Sequence, residues 1–299
     1  MELGKATIQE TAGAFYATAA IQYHKIDDAT IAVRTFGEGP PIVFIHGFIV
    51  HGYTWRKILP VLAKNYTCHV VDMPGFGDSK WTSKTDFSFT AQAKRLNILF
   101  KKLNLESYNI LAHDTGASIA RILAYTHPDK IKKLILINTE IPNHRPPFIP
   151  MHQFLAKLPL ANFIFRTLLK VDFIVHSPLL LNQFFYDKSL FKNEANLAAY
   201  LNPLKHSKNK MFGMLGYLKG IDWKIVDGFS DKHKNIKAET LILWGENDKT
   251  FPVALAENMS KQFSGKCTFI RIPSASLMPH EEKPEEILKH AIPFLSGKG

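Results

Sequence analysis

The sequence predicts an α/β fold with a mostly parallel central sheet, helices on both faces and a helical insertion. Short apolar runs typical of buried strands alternate with helical patterns in both end regions of the chain. Strands that alternate with helices favour a parallel sheet that is covered on both faces. At 299 residues with 46% hydrophobic content, the chain can bury a substantial core.

The elements follow one another in a simple order. Two strands are predicted near Ile21 to Ile26 and Thr30 to Thr35, followed by alternating strands and helices. A helical insertion comes next, and a βαβα stretch ends the chain. We therefore predict a core of residues 1–140 and 236–299, with residues 141–235 as a helical cap.

The N-terminal segment and the cysteines bear on location. Met1 to Ala20 lack the apolar stretch of a secretory signal, so we expect a short arm. Cys68 and Cys267 both fall in predicted strands, which favours buried free thiols and a cytoplasmic protein. No His/Cys cluster has metal-ligand spacing, and no phosphate-binding glycine loop occurs, so we expect no metal and no cofactor.

The net charge of +11 raises the question of partners. The lysines are scattered and no nucleic-acid motif accompanies them, so we expect a small-molecule substrate and no nucleic-acid partner. The insertion from Ile141 to Asn235 holds 13 Lys or Arg against 6 Asp or Glu, together with apolar runs such as Phe163 to Phe165 and Leu179 to Leu181. We interpret it as a lid over an apolar pocket. Charged residues leave no run of about 20 apolar residues to span a bilayer, and peripheral membrane contact is the alternative.

The stretch Ala112-His113-Asp114-Thr115-Gly116 joins a predicted strand, Tyr108 to Ala112, to a predicted helix, Ala117 to His127. Small residues at both ends of this turn relieve crowding, and the strand-turn-helix context predicts a nucleophile elbow. Asp114 is the candidate nucleophile, with a helix cap as its structural alternative. A carboxylate with an ordinary pKa of about 4 is ionised at neutral pH and attacks without help from a base.

Three further strand-to-loop segments follow in an order that suits a single site: H-G-F at 46–48, D-M-P-G-F-G-D-S at 72–79 and G-E-N-D-K-T-F-P at 245–252. The backbone N–H groups of Phe48 and Thr115 are the predicted donors to an oxygen that gains negative charge during attack. Asp248, at the end of the predicted strand Thr240 to Trp244, is the predicted acid that orients a base. A helix cap is its alternative.

In this order and spacing the motifs resemble the α/β-hydrolase fold, and the resemblance covers nearly the whole chain. An Asp at the elbow resembles the branch that contains haloalkane dehalogenases and epoxide hydrolases. This resemblance implies a covalent alkyl ester on Asp114, which water then hydrolyses with a His as general base. It also makes Glu140, after the predicted strand Leu134 to Ile137, a reserve position for the acid.

The general base is where the sequence departs from this pattern. The resemblance places a His seven residues before Pro284, and Leu277 stands there. His280 follows three residues later. Three interpretations stay open: His280 acts as the base from a rearranged loop, Leu277 leaves the ester to persist, or catalysis has been lost and the pocket binds ligands.

The residues around the leaving group also differ from the dehalogenases. Those enzymes commonly carry a Trp after the nucleophile and an Asn after the His-Gly pair, where this chain has Thr115 and Phe48. H-G-F looks closer to epoxide hydrolases, whose cap supplies two tyrosines to the epoxide oxygen. The candidates for substrate contact are three cap tyrosines and one pocket aromatic: Tyr186, Tyr200, Tyr217 and Trp55. Ordinary packing is the alternative for each of them.

Overall fold

The computed structural model describes residues 11–177, 184–192 and 194–297. The strands are β1 (Gln22–Ile26), β2 (Ala29–Phe36), β3 (Pro41–Ile45), β4 (Thr67–Asp72), β5 (Tyr108–His113), β6 (Ile131–Ile137), β7 (Glu239–Gly245) and β8 (Cys267–Ile272). They form one eight-stranded sheet in the order β1-β2-β4-β3-β5-β6-β7-β8. Strands β1 and β2 pair antiparallel, as do β2 and β4, and all other neighbours are parallel. The predicted mostly parallel α/β sheet is confirmed.

Helices lie between the strands and in the insertion. They are α1 (11–18), α2 (Leu59–Leu62), α3 (Phe89–Lys102), α4 (Thr115–Thr126), α5 (Phe148–Leu155), α6 (Ala161–Leu168), α7 (Asp172–Val175), α8 (Lys188–Lys192), α9 (Glu194–His206), α10 (Lys208–Lys219), α11 (Trp223–Lys232), α12 (Val253–Ser260), α13 (Pro279–Glu282) and α14 (Pro284–Ser296). Two short 3-10 helices span Gly52–Trp55 and His233–Asn235.

The central strands are mostly apolar because both faces of the sheet are covered. Along β3, Val43 and Ile45 belong to one hydrophobic cluster, whereas Ile42 and Phe44 belong to a second cluster on the opposite face. This alternation follows from the period of two residues in an extended chain. A strand buried on both faces therefore has a continuous apolar run, which is why the sequence indicates these strands so clearly.

The described part of the N-terminal segment is a helix, so the prediction of an arm is wrong for residues 11–18. Tyr16 is buried and packs on Phe36 with 5.8 Å between ring centroids, and it meets Tyr53 edge-on at 5.4 Å. These tertiary contacts hold a segment that is rich in Ala and Thr. Residues 1–10 of the predicted arm lie outside the described residues.

Helices α5 to α11 lie between β6 and β7, in the region predicted as the cap. Helix α10 packs against α5, α6 and α9. Its Tyr217 meets Phe76, in the loop after β4, with 5.0 Å between ring centroids, so this helix joins the insertion to the sheet. The predicted apolar run Leu179 to Leu181 lies outside the described residues. No helix within the described ranges is both long and apolar enough to cross a bilayer.

Candidate active site

The chain turns sharply at Asp114, between β5 and α4. Asp114 has φ 51° and ψ −129°, a backbone conformation that residues other than glycine rarely adopt. The turn runs close to the loop after β3. A side chain at Gly116 would come within 2.3 Å of the His46 carbonyl oxygen, and one at Gly47 within 2.6 Å of Asp114 Cβ. The two glycines therefore allow the loop after β3 to lie directly against the Asp114 side chain.

The Asp114 carboxylate accepts a hydrogen bond from the Phe48 N–H, with 2.8 Å between the nitrogen and Oδ2. Burial raises the pKa of Asp114 well above its ordinary value, and the Glu140 and Asp248 carboxylates raise this pKa further. The N–H groups of Phe48 and Thr115 oppose the rise by stabilising the charged form. The carboxylate is thus positioned by a backbone donor that the sequence predicts, and its ionisation is resisted by its surroundings.

Three donors fix the Asp248 carboxylate in the loop after β7. Asn138 Nδ2 lies 2.7 Å from Oδ2, and the N–H groups of Thr250 and Phe251 lie 2.7 and 3.0 Å from Oδ1. Burial raises the pKa of Asp248 to about 7, although these hydrogen bonds oppose the shift. The carboxylate lies at the strand end where the sequence predicts an orienting acid. No imidazole in the described part of the chain is hydrogen-bonded to it.

The position that the resemblance gives to the base is apolar. The Leu277 side chain is buried and lines a cavity together with its neighbour Met278. The Leu277 carbonyl oxygen lies 2.9 Å from Nε2 of His113, the residue before Asp114. Burial lowers the pKa of His113 to about 4, so a neutral imidazole donates this hydrogen bond. His113 therefore helps to hold the Leu277 backbone beside the elbow.

The structure does not bring His280 to either carboxylate. Its ring is fully buried on α13, and Nε2 lies 2.8 Å from the Thr54 hydroxyl oxygen. The imidazole packs on Trp55 and His113, with ring centroids 4.6 and 4.5 Å away. Burial, followed by the effect of His113, lowers the pKa of His280 well below its ordinary value. The structure therefore does not bring Asp114, Asp248 and His280 together as predicted, because the His280 imidazole packs against the 3-10 helix Gly52–Trp55.

Glu140, the reserve acid, follows β6 and lines the same cavity as Asp114. Its Oε2 accepts hydrogen bonds from the Ser118 hydroxyl at 2.6 Å and the Thr139 hydroxyl at 3.0 Å. Arg121 Nη2 donates to the Glu140 carbonyl oxygen at 2.8 Å. This position thus adds a second carboxylate to the cavity wall beside Asp114, and hydroxyl groups rather than an imidazole hold it.

A buried ion cluster beside the cavity was not predicted. Glu281 pairs with Arg56, whose Nη1 lies 2.5 Å from Oε1, and with Lys57, whose Nζ lies 3.3 Å from Oε2. Burial opposes the Glu281 charge, but Arg56 and Lys57 outweigh it and lower the pKa of Glu281 to about 2. Sequence gives no local signal for this cluster, because its cations and its carboxylate lie more than 220 residues apart.

A cavity of about 240 Å³ lies between the strand ends and the cap. Asp114, Thr115 and Glu140 lie on the core side, and apolar side chains of the cap such as Phe165 and Leu218 face them. A mostly apolar cavity with a few polar groups is typical of a site for small molecules. The role of the insertion as a lid over this cavity stays a prediction.

The four predicted substrate contacts lie in different surroundings. Tyr200 lines the cavity and donates its hydroxyl to Glu281 Oε1 at 2.9 Å. Tyr217 is fully buried and donates to Thr115 Oγ1 at 3.2 Å. Trp55 is completely buried and packs on His280, and Tyr186 is 51% exposed. Of the four predicted residues, Tyr200 alone is among those that line the cavity, and contact of the others with a substrate stays a prediction.

Comparison with known proteins places this geometry in a family. The sequence model of the α/β-hydrolase fold matches residues 40–284. The pimeloyl-[acyl-carrier protein] methyl ester esterase of Aeromonas hydrophila subsp. hydrophila is 32% identical over 108 residues, which cover 36% of this chain and 41% of the esterase. The match therefore spans less than half the length of that relative. Epoxide hydrolase 3 of Xenopus tropicalis is 25% identical over 293 residues, covering 91% of this chain and 77% of that enzyme.

A solved structure extends the likeness to three dimensions. An α/β-hydrolase enzyme from a Medee basin deep-sea metagenome library superposes with a TM-score of 0.78 at 19% sequence identity. The match covers 92% of this chain and 97% of that enzyme, and at such identity it bears on the fold alone. Because the family model matches most of the sequence, the chain belongs to the α/β-hydrolase fold family.

Proposed function

We propose that Asp114 attacks an sp3 carbon of a small, mainly apolar haloalkane or epoxide and forms a covalent alkyl ester. The observation that carries this proposal is the placement of Asp114, whose Oδ2 accepts the Phe48 N–H and whose side chain lines an apolar cavity. In the ester, Oδ2 becomes the carbonyl oxygen and keeps its backbone donor, while Oδ1 forms the new bond. The epoxide hydrolase relative supports this class of substrate.

In this step one bond forms and one bond breaks, and the proposed attack needs no cofactor. An electron pair on Oδ1 forms the bond to carbon, and the bond from that carbon to the halogen or the epoxide oxygen breaks with its own pair. Thr115 lines the cavity, and its hydroxyl oxygen accepts the Tyr217 O–H at 3.2 Å. The Thr115 hydroxyl hydrogen therefore remains to donate to the departing halide or oxygen.

Hydrolysis of the ester needs a water molecule that a base activates. Leu277 fills the expected base position, and His280 is hydrogen-bonded to Thr54 instead of facing the ester. A positioned general base contributes roughly 10²–10⁴-fold to such a step. We therefore expect the ester to form faster than it is hydrolysed and to accumulate on the protein.

Intact mass spectrometry tests this proposal directly. The protein is incubated with a panel of short haloalkanes and epoxides at neutral and alkaline pH, alongside Asp114→Asn and Asp248→Asn variants. We expect an adduct on the parent protein and on Asp248→Asn, which keeps the nucleophile, and none on Asp114→Asn. An adduct that survives in Asp114→Asn would place the nucleophile elsewhere. Product release without an adduct would mean that another group, with Glu140 as the first candidate, activates water.

A second candidate function is ligand binding without chemistry. Two observations favour it. The side chain of Leu277 at the expected base position is apolar, and the raised pKa of Asp114 lowers the fraction of this residue that is ionised and able to attack. In that case panel compounds would bind, as seen by calorimetry or thermal shift, while no adduct and no product appear at any pH.

A further inference from the structure

We propose that the outer face of the first three cap helices docks on an anionic phospholipid surface. This face, called the cap face below, consists of the exposed side chains of α5, α6 and α7 and of the turns between them. Its most exposed members are Phe154 at 64%, Leu160 at 75%, Phe163 at 66% and Phe173 at 86%. Large aromatic side chains are rarely left in water to this extent unless they contact a partner.

The concentration of such side chains sets the cap face apart from the rest of the surface. Of the fifteen large hydrophobic side chains that are exposed among the described residues, ten lie between Met151 and Phe173. Scattered apolar residues on a surface are ordinary, whereas a concentrated patch marks a contact with protein or lipid. The cap face is therefore an interaction surface rather than chance exposure.

The cap face is continuous with the cavity. Four of its side chains are between 37% and 43% exposed and also line the cavity, namely Leu155, Leu158, Ile164 and Leu168. They form a rim with one side in water and the other facing the interior. Asp114 lies on the opposite, core side of the same cavity. A bilayer seated on the cap face would thus meet the entrance to the site.

Charge selects an anionic membrane as the occupant. Lys157, Arg166 and Lys170 lie among the apolar side chains of the cap face, against a single carboxylate, Asp172. Basic residues beside an apolar surface favour binding to anionic headgroups. A second copy of this chain, docked through the same face around a two-fold axis, would bring these cations towards one another. Because no helix of the described segments is long and apolar enough to span a bilayer, the proposed contact lies at the membrane surface.

Co-sedimentation with vesicles tests the docking independently of the chemistry at Asp114, and the Asp114→Asn variant should bind as the parent does. The vesicles contain phosphatidylcholine alone or equal parts of phosphatidylcholine and phosphatidylglycerol. We expect binding to the anionic vesicles that weakens as salt rises. The pair Phe163→Glu and Phe173→Glu should weaken binding by about tenfold or more, because neither side chain is buried in the fold.

Matched controls separate this face from surface hydrophobicity in general. Leu255→Glu with Ile292→Glu changes two side chains that are 41% and 39% exposed on α12 and α14, and it should leave binding unchanged. Equal loss in this control pair, or absence of parent binding to anionic vesicles, overturns the proposal. A second outcome would also overturn the proposal: the parent protein does not bind vesicles but forms a dimer in analytical ultracentrifugation, and Phe163→Glu with Phe173→Glu makes it monomeric. The cap face would then bind a second copy of this chain.

Discussion

Two parts of the site, the elbow at Asp114 and the 277–282 segment, which includes helix α13, use their hydrogen bonds for different purposes. At the elbow, the backbone N–H of Phe48 is directed at a carboxylate that faces the cavity. In the 277–282 segment, the polar side chains bind structural partners. Glu281 binds two cations of the core, and Glu282 accepts the N–H of Tyr186 at 2.6 Å and that of Ser276 at 2.7 Å.

The difference separates the two steps of an ester mechanism. In the proposed mechanism the elbow forms the alkyl ester, whereas the hydrogen bonds of the 277–282 segment join the insertion to the core. Asp248 nevertheless keeps the place and the donors of an orienting acid. Under the proposed mechanism the site therefore lacks only the general base, and this contrast can be tested by altering one part at a time.

The largest expected effect comes from supplying the missing base with Leu277→His. The new imidazole would take the position that the resemblance gives to the base, on the wall of the cavity that Asp114 also lines, so hydrolysis of the ester should accelerate by roughly 10²–10⁴-fold. Intact mass would show the adduct disappearing after excess substrate is removed, and product would appear in step.

The matched control is Met278→His, which puts the same side chain on the next residue of the cavity wall. It should leave the adduct lifetime unchanged, because the family resemblance gives the base to position 277 rather than to position 278. Equal acceleration of ester hydrolysis by both variants would show that an imidazole at either position is sufficient. The position of residue 277 would then not explain why the ester accumulates.

The second effect concerns stability. Glu281→Gln removes the carboxylate that balances the buried Arg56 and Lys57 charges, and breaking such a pair costs about 3–5 kcal/mol of unfolding free energy. Chemical denaturation measures it. Glu286→Gln is the control, because its ion pair with Lys289 is exposed and contributes less than about 1 kcal/mol. Similar losses of unfolding free energy in the two variants would mean that the Glu281 ion cluster does not stabilise the 277–282 segment.

Sequence alone predicts the sheet well for a physical reason. Ile42 to Ile45 and Tyr108 to Ala112 are short apolar runs that end at turn-forming residues, and their limits lie within one residue of β3 and β5. A strand that is covered on both faces needs apolar side chains on both sides, so its sequence is a nearly continuous apolar run. Helix 11–18 was missed because its own residues do not encode it strongly, and Tyr16 fixes it only through contacts with distant rings.

The site divides along the same line. The relation of Asp114 to Phe48 could be predicted because each residue belongs to a compact motif at a strand end. The surroundings of His280 could not, since Thr54 lies 226 residues away in the chain. Short-range patterns thus predict the strained turn, whereas the partner of a buried imidazole depends on how two distant segments pack.

The third effect is the pH dependence of ester formation. Attack requires the Asp114 carboxylate, whose pKa is raised well above its ordinary value by burial and then by Glu140. The rate of adduct formation should therefore rise about tenfold per pH unit below that pKa, at pH values where an ordinary Asp is already ionised. Glu140→Gln removes the nearby charge and should move the profile to lower pH. A rate that stays flat from mildly acidic to alkaline pH would contradict the electrostatic account of the elbow.

The smallest expected effect is that of His280→Gln on the lifetime of the ester. Gln keeps a hydrogen-bonding group for the Thr54 hydroxyl, so the 3-10 helix retains its partner at the cost of some packing against Trp55. Nε2 of His280 is hydrogen-bonded to Thr54, and His280 is not among the residues that line the cavity with Asp114, so we expect this imidazole not to activate a water at the ester. Adduct lifetime should match that of the parent protein in the same mass measurement. A lifetime prolonged tenfold or more would make His280 the general base. The 277–282 segment would then have to rearrange during turnover to bring this imidazole to the ester.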